Sequence, residues 1–417
     1  MCLIPTEEIG KLKKLGYVTS SELTPRVVKR TDILDLSTKF EVVVFDVRAV
    51  LGMRPRGVKT IEVPGITRHE ISSWGELHHL LESEGLSALL DCEPPSHLSH
   101  KIVSRCRELG ITSAQLRAGA LPTPNALTRL GIRLISIMSL PSRSQAELEG
   151  QSGGARTAPL SLLALCRSYF AEQFLDIRGM FVSRPDICFF SGSKSLNLSA
   201  RFARRLVPIP CEDLGDIQEL AIGKKRNYLL FLDEALSDAK DFGVLGMEPP
   251  VREVDYYPWL SDSLRELGHR LNLPVLIALH PDNADRVDIL KSRLEGFTIW
   301  QGPSVLALVG ARGVIFHRSS LALLTIEVGA VPLPLQVGFP NMTLHNGFVR
   351  KMARSLGVAL QTRNGRSTRD PLDHSVSERR RKAILKKYLG PSGVSRKGLI
   401  TSIFVEELSL IAPTPVE

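Results

Sequence analysis

The run Pro274-Val275-Leu276-Ile277-Ala278-Leu279 is apolar throughout, and polar residues return only with His280-Pro281-Asp282. A half-exposed strand or a surface helix would interrupt such a run; a parallel strand covered on both faces requires it. A second unit of this kind follows. Gly313-Val314-Ile315-Phe316 leads into His317-Arg318-Ser319-Ser320, then into an apolar helical stretch stopped by Gly329, then into the strand that ends at Pro334. Serine at the start and glycine at the end are the expected helix punctuation.

In open α/β sheets ligands bind at the carboxyl edge, where variable loops leave a rigid sheet. Both units deliver polar groups to that edge. Ser319 and Ser320 add two hydroxyl donors to the free N–H groups and positive dipole end of the expected helix, a combination suited to phosphate. His280 reaches the same edge from the other strand. Read singly, the serines are a cap and His280-Pro281 is a turn; two units placing phosphate-compatible groups on one edge point to a ligand site.

This pattern, a histidine-proline pair after one strand and a serine pair opening a later helix, resembles the HP and S/SS motifs of bacterial GT-B glycosyltransferases that use CMP-activated sialic acid or Kdo. The resemblance implies an α/β fold of GT-B type, two Rossmann-like domains with parallel sheets facing across a cleft. It also implies that His280, Ser319 and Ser320 hold the phosphate of a nucleotide-activated donor, with Pro281 and Arg318 beside them. A second resemblance covers Asn227 to about Pro334. It is to bacterial surface-carbohydrate biosynthesis proteins, and it is carried by Tyr228-Leu229-Leu230-Phe231-Leu232-Asp233-Glu234, then Tyr256-Tyr257-Pro258, then the His-Pro element. The sialyltransferase families place an acidic-acidic-glycine motif in the acceptor domain. The first half of this chain has no counterpart, and Asp233-Glu234 is followed by Ala235.

A chain of 417 residues is long enough for two domains. The expected division is 1–220, an acceptor-side domain, 221–390, a nucleotide-sugar domain, and a tail, 391–417, packing back on the first. Hydrophobic residues at 43% and charged residues at 23% suit a globular protein, and no uninterrupted apolar stretch has membrane-helix length. The first residues carry Glu7-Glu8 and Lys11, Lys13 and Lys14 in place of an apolar leader core, so a cytoplasmic protein is expected. Six scattered cysteines, with no CxxC spacing, argue against zinc and a disulfide framework. The net charge of +9 is spread along the chain apart from Arg379-Arg380-Arg381-Lys382 and Lys386-Lys387. That run is a solvated helix face or, in the sharper alternative, a peripheral contact with an anionic membrane carrying a lipid-linked acceptor. No nucleic-acid motif accompanies it.

Alternation of strand and helix along the first half argues for a parallel sheet. A helix is expected at Thr6 to Leu15, strands at Phe40 to Val47, Lys59 to Val63 and Ser87 to Leu90, and helices at Ser73 to Glu84 and His97 to Leu109. Gln115 to Ala120 and Ile132 to Met138 continue the alternation, Pro141 to Pro159 reads as a loop, and Leu160 to Gln173 reads as a helix. The strand Ile187 to Phe190 runs into the small-residue loop Ser191 to Ser195, a weak phosphate or sugar site. Leu206 to Pro210 closes the domain, and Glu212 to Lys225 links it to the next.

Sugar transfer from a nucleotide needs the charge on the departing phosphate stabilised and the acceptor proton removed. No metal motif or cofactor is expected to do this, which leaves His280, Ser319, Ser320, the helix dipole and Arg318. Glu327 is either a ribose acceptor or an ordinary helix glutamate. Asp233 and Glu234, at the end of an apolar strand, are either the catalytic base or caps of the following turn. Tyr256, Tyr257 and Trp259 line a sugar or belong to the core. The sequence-level reading is therefore a metal-independent glycosyltransferase acting on a surface polysaccharide or lipopolysaccharide. The alternatives are a sugar-nucleotide epimerase or hydrolase and a non-catalytic GT-B-like binding protein.

Overall fold

The apolar runs become parallel strands. A computed structural model describes residues 13–53, 60–93, 96–117, 183–197, 199–220, 227–237, 249–280, 283, 286–362, 371–373 and 375–410. They group into two units. One takes the described residues up to Arg117, from Ser183 to Gly215 and from Gly390 onward; the other takes those from Asp216 to Leu389.

The sheet of the first unit contains β1 (Lys14–Thr19), β2 (Glu41–Asp46), β3 (Ile66–Glu70), β4 (Ala88–Asp91), β5 (Thr112–Arg117), β6 (Ile187–Phe190) and β7 (Arg205–Pro208). Its order is β3-β2-β1-β4-β5-β6-β7, with every pair parallel. The second unit carries β8 (Leu229–Leu232), β9 (Val275–Ala278), β10 (Thr298–Trp300), β11 (Gly313–Phe316) and β12 (Val331–Pro334) in the order β10-β9-β8-β11-β12, again all parallel. In each sheet the strand order reverses beside the first strand of the unit. That reversal opens a crevice at the carboxyl edge, between β1 and β4 in one sheet and between β8 and β11 in the other.

Three sequence expectations are corrected. The helix placed at Thr6 to Leu15 overruns into β1, because Leu15 is a buried residue of that central strand. Gly16 disguises the strand: a Cβ there would stand 2.9 Å from Leu86 Cδ1 and 3.1 Å from Phe45, so close packing excludes the apolar side chain that periodicity looks for. The strand placed at Lys59 to Val63 lies instead at β3, Ile66-Thr67-Arg68-His69-Glu70, a partly exposed edge strand that needs no apolar run. The link Glu212 to Lys225 begins as a helix, Glu212–Gln218. Ile132 to Met138, Pro141 to Pro159 and Leu160 to Gln173 lie outside the described residues.

The helix Leu399–Leu410 belongs to the first unit. Its Ile400, Phe404 and Leu408, spaced four apart on one face, join Tyr17, Val42 and Phe189 in the core. Burial of each such side chain contributes roughly 1.5–3 kcal/mol. In the second unit the helix Glu253–Leu271 lays Tyr256, Leu260, Leu264, Leu267 and Leu271 against β8 and β9, a spacing that keeps all five on one stripe.

Candidate functional site

At the crevice of the second sheet, the loop after β8 starts with Asp233, whose carboxylate is buried. Asp233 Oδ1 accepts the Ala235 N–H at 3.1 Å. Its Oδ2 accepts from Asn283 Nδ2 at 3.1 Å and from the His280 N–H at 3.4 Å. This is a turn in which an aspartate side chain bonds the backbone two residues on. It forces Ala235 into the left-handed region, φ 49°. Asp233 therefore clamps the loop that carries His280 against its own. Both of its oxygens are engaged, so it positions His280 and is poorly placed to take an acceptor proton.

Glu234 reaches across the crevice, and its Oε1 accepts the backbone N–H of Arg318, at the end of β11. Burial of this carboxyl raises its pKa well above the ordinary carboxylate range, against the lowering effect of the Arg318 charge and with a further rise from Asp233.

His317, also at the end of β11, is fully buried. Its Nδ1 lies 2.7 Å from the Leu335 carbonyl oxygen. A carbonyl only accepts, so Nδ1 carries the proton, and Nε2 accepts from Tyr256 Oη at 3.2 Å. Burial pushes the imidazole down to about 4, so it is neutral near pH 7. Around it pack Phe231, Tyr256, Trp259 and His345, with ring centroids 5.5 to 6.2 Å away. Tyr256, Tyr257 and Trp259 are accordingly core residues. His345, in the helix Thr343–Leu356, is pushed down to about 3 by burial, then by His317 and Arg318, and its buried Nε2 has no hydrogen-bond partner among the described residues.

Arg318 is exposed. Its guanidinium carbon sits 4.2 Å from the centre of the Phe348 ring, a cation–π contact that fixes its direction. Among the described residues no carboxylate forms an ion pair with that guanidinium. Ser319 and Ser320 follow, neither of them buried, and the Ser319 hydroxyl makes no cap bond. One expectation changes here. The helix they open is a 3-10 turn, Ser320–Leu324, passing into a single α-turn, Thr325–Val328, so no long α-helix points its dipole at the edge. Glu327 is held by Arg381, with Nε to Oε1 at 2.9 Å and Nη2 to Oε2 at 3.0 Å, and any ribose contact would compete with that pair. His280 is half-buried at the end of β9; Pro281 lies outside the described residues.

The first sheet repeats the device. Asp91 Oδ1 accepts the Glu93 N–H at 3.0 Å, and Glu93 Oε1 reaches across to the Ser20 N–H at the end of β1. Burial pushes Glu93 up to about 7. Arg117, at the end of β5, is buried and donates to the Glu93 carbonyl and to Ser99 Oγ. In the weak-site loop, Ser195 Oγ turns back to the Gly192 carbonyl at 2.8 Å, which closes that loop on itself.

Neither Glu93, His345 nor Phe348 was singled out from sequence. A signal existed for Glu93, since an apolar run ending in two nearby acids occurs at Ala88 to Glu93 as it does at Tyr228 to Glu234. None existed for Phe348, which reaches Arg318 from a helix thirty residues further on. Among the described residues no group of three His, Cys, Asp or Glu side chains is arranged to hold a metal ion.

The sequence matches no protein-family model and no curated protein. In structure it is similar to the wall teichoic acid polymerase TagF: the H444N variant superposes with a TM-score of 0.51 at 10% identity, over 96% of this chain and 90% of that one. The same variant soaked with CDPG gives 0.50 at 10% identity, over 97% and 90%. The fold is of GT-B type. A UDP co-structure of MnaA from S. aureus, at 0.44 and 10% identity over 97% and 99%, is more distant. At such identities a likeness carries the GT-B fold and nothing finer, so the chemistry rests on the residues above. No helix among the described residues is long and apolar enough to cross a membrane.

Proposed function

We propose that the chain is a GT-B glycosyltransferase whose second unit binds a nucleotide-activated sugar through its phosphate, at the crevice between β8 and β11. The observation that carries this reading is Arg318: an exposed guanidinium, aimed by Phe348 and without a carboxylate partner among the described residues, beside two unburied serines at the reversal of the strand order. Ordinary surface arginines find carboxylates or wave in solvent. A stacked, unpaired one at the ligand edge is suited to bidentate recognition of phosphate.

In this reading Arg318, Ser319 and Ser320 hold the phosphate, and His280, set by Asp233, approaches it from the end of β9. The acceptor hydroxyl oxygen forms the new bond to the anomeric carbon and its proton passes to water, while the bond from that carbon to the phosphate oxygen breaks and its electron pair passes to the phosphate, where Arg318 stabilises the charge. The first unit is assigned to the acceptor, a glycan or lipid-linked glycan of a bacterial surface polysaccharide or lipopolysaccharide. The donor is assigned to the CMP-linked nonulosonic acid or Kdo class, on the motif resemblance. Five exposed basic residues, Arg379, Arg380, Lys382, Lys386 and Lys387, offer a contact to the inner face of an anionic membrane, at about 1 kcal/mol each.

Calorimetry with CMP, CDP, UDP, GDP and TDP tests the reading. CMP should bind, and Arg318→Ala should weaken it by roughly 10- to 150-fold, the loss of one charge-assisted contact, with His280→Ala weaker as well. Absence of binding to every nucleotide would overturn it. Formation of an epimer or free sugar without acceptor would move the chain to the epimerase or hydrolase class.

A further inference from the structure

Glu234 lies at the same crevice as Arg318. Its Oε1 takes the Arg318 N–H at the crevice, while its other oxygen has no protein partner among the described residues. The residue is itself partly exposed, so a ligand can reach it. An ionised carboxylate there and a phosphate on the Arg318 guanidinium are like charges sharing one small site, an arrangement that drives one of them to take up a proton. Phosphate esters resist protonation near neutral pH better than a desolvated carboxyl does.

Resting on the phosphate-site reading above, we propose that Glu234 takes part in anion binding as the neutral acid: its carboxyl O–H donates to a phosphate oxygen while Oε1 keeps the Arg318 N–H. Glu234 thereby supplies a hydrogen-bond donor and makes oxyanion binding depend on its holding the proton. The burial that raises its pKa and the nearby Asp233 both favour this form. Among the described residues, the charged and titratable groups around the crevice are Asp233 on the same loop, His280 from the end of β9, His317 and Arg318 from the end of β11, and His345 from the helix Thr343–Leu356. His317 and His345, pushed down to about 4 and about 3, stay neutral over the range of the test. The contribution of Glu234 must be separated from that of the groups around it.

Glu234→Gln does this, because the amide keeps a carbonyl for the Arg318 N–H and an N–H for the phosphate in a form that never ionises. Affinity for sulfate, whose charge is constant between about pH 5 and pH 9, and for CMP is measured by calorimetry across that range. Wild type should bind sulfate with an affinity falling about tenfold per pH unit once Glu234 ionises, while Glu234→Gln should match wild type at low pH and stay flat. Arg318→Ala should bind both ligands roughly 10- to 150-fold more weakly than wild type at every pH. Coincident pH profiles for wild type and Glu234→Gln, both binding, overturn the role of Glu234 alone; a slope surviving in the Gln variant gives the proton to another group and overturns it too. Failure of wild type to bind sulfate or CMP at any pH overturns the phosphate site itself.

Discussion

Replacement of Glu93 by glutamine should stabilise the first unit, and only above the pH at which the free carboxyl ionises. Glu93 is 3% exposed, and burial and Asp91 push it from 4.5 up to about 7 against the attraction of Arg117. The folded chain thus prefers the neutral acid. Below pH 4.5 both folded and unfolded chains hold the proton, and stability is complete. Between 4.5 and 7 the unfolded chain gives it up first, so stability falls, and above 7 the loss is constant. A shift of this size corresponds to about 3 kcal/mol at most. Glutamine keeps the acceptor for the Ser20 N–H and cannot ionise, so it should recover that amount above pH 7 and nothing below 4.5. For a unit of this size the gain is roughly 6–12 °C in Tm. Trp74 is the tryptophan of this unit, and Trp259 and Trp300 lie in the other. In a background with both of those changed to Phe, Trp74 fluorescence during heating reports the first unit. A Tm difference that is the same at pH 4 and pH 8.5, or absent at both, would refute the argument, because neither follows the titration.

Two further substitutions test the second crevice. Ala235→Gly should leave stability within about 0.5 kcal/mol, since relief of a left-handed backbone worth roughly 1 kcal/mol nearly cancels the loss of a buried methyl. Ala235→Val should lower Tm by several degrees, because branching at that φ adds strain; equal Tm values for the two variants would count against the strained turn. Tyr256→Phe removes the donor to His317 Nε2 and leaves a buried acceptor unpaired, at a cost of about 1–3 kcal/mol in urea unfolding, and an unchanged midpoint would refute the assigned tautomer.

The parts of the fold legible in sequence were those whose physics is local. β8, β9 and β11 are short central strands covered on both faces, so their runs are apolar without interruption, and their ends fall within a residue or two of the sequence reading. β1 is equally central but hides behind Gly16, a position set by the side chains of Leu86 and Phe45, which no window around residue 16 contains. β3 sits at an edge and has no apolar pattern to show. The acidic-acidic-glycine pattern sought in the first half is approached instead in the second: Ala235 adopts the left-handed conformation that glycine prefers, so the turn tolerates a residue the pattern would exclude.

Part of the candidate site has a sequence signature of its own, a turn made by an aspartate at the end of a strand. Asp46, Asp91 and Asp233 each close a strand and accept the N–H two residues on, at 3.0 to 3.2 Å. Two of these turns contain a glutamate that spans the crevice to the facing loop, Glu93 to Ser20 and Glu234 to Arg318. The two sheets therefore share one backbone device. The neighbouring arginines differ. Arg117 is buried and donates to the Glu93 carbonyl and to Ser99 Oγ, whereas Arg318 stands exposed on Phe348. Among the described residues the two edges thus share a turn and differ in the guanidinium beside it, one buried and the other stacked on an aromatic face, which is the difference on which the proposed phosphate site rests.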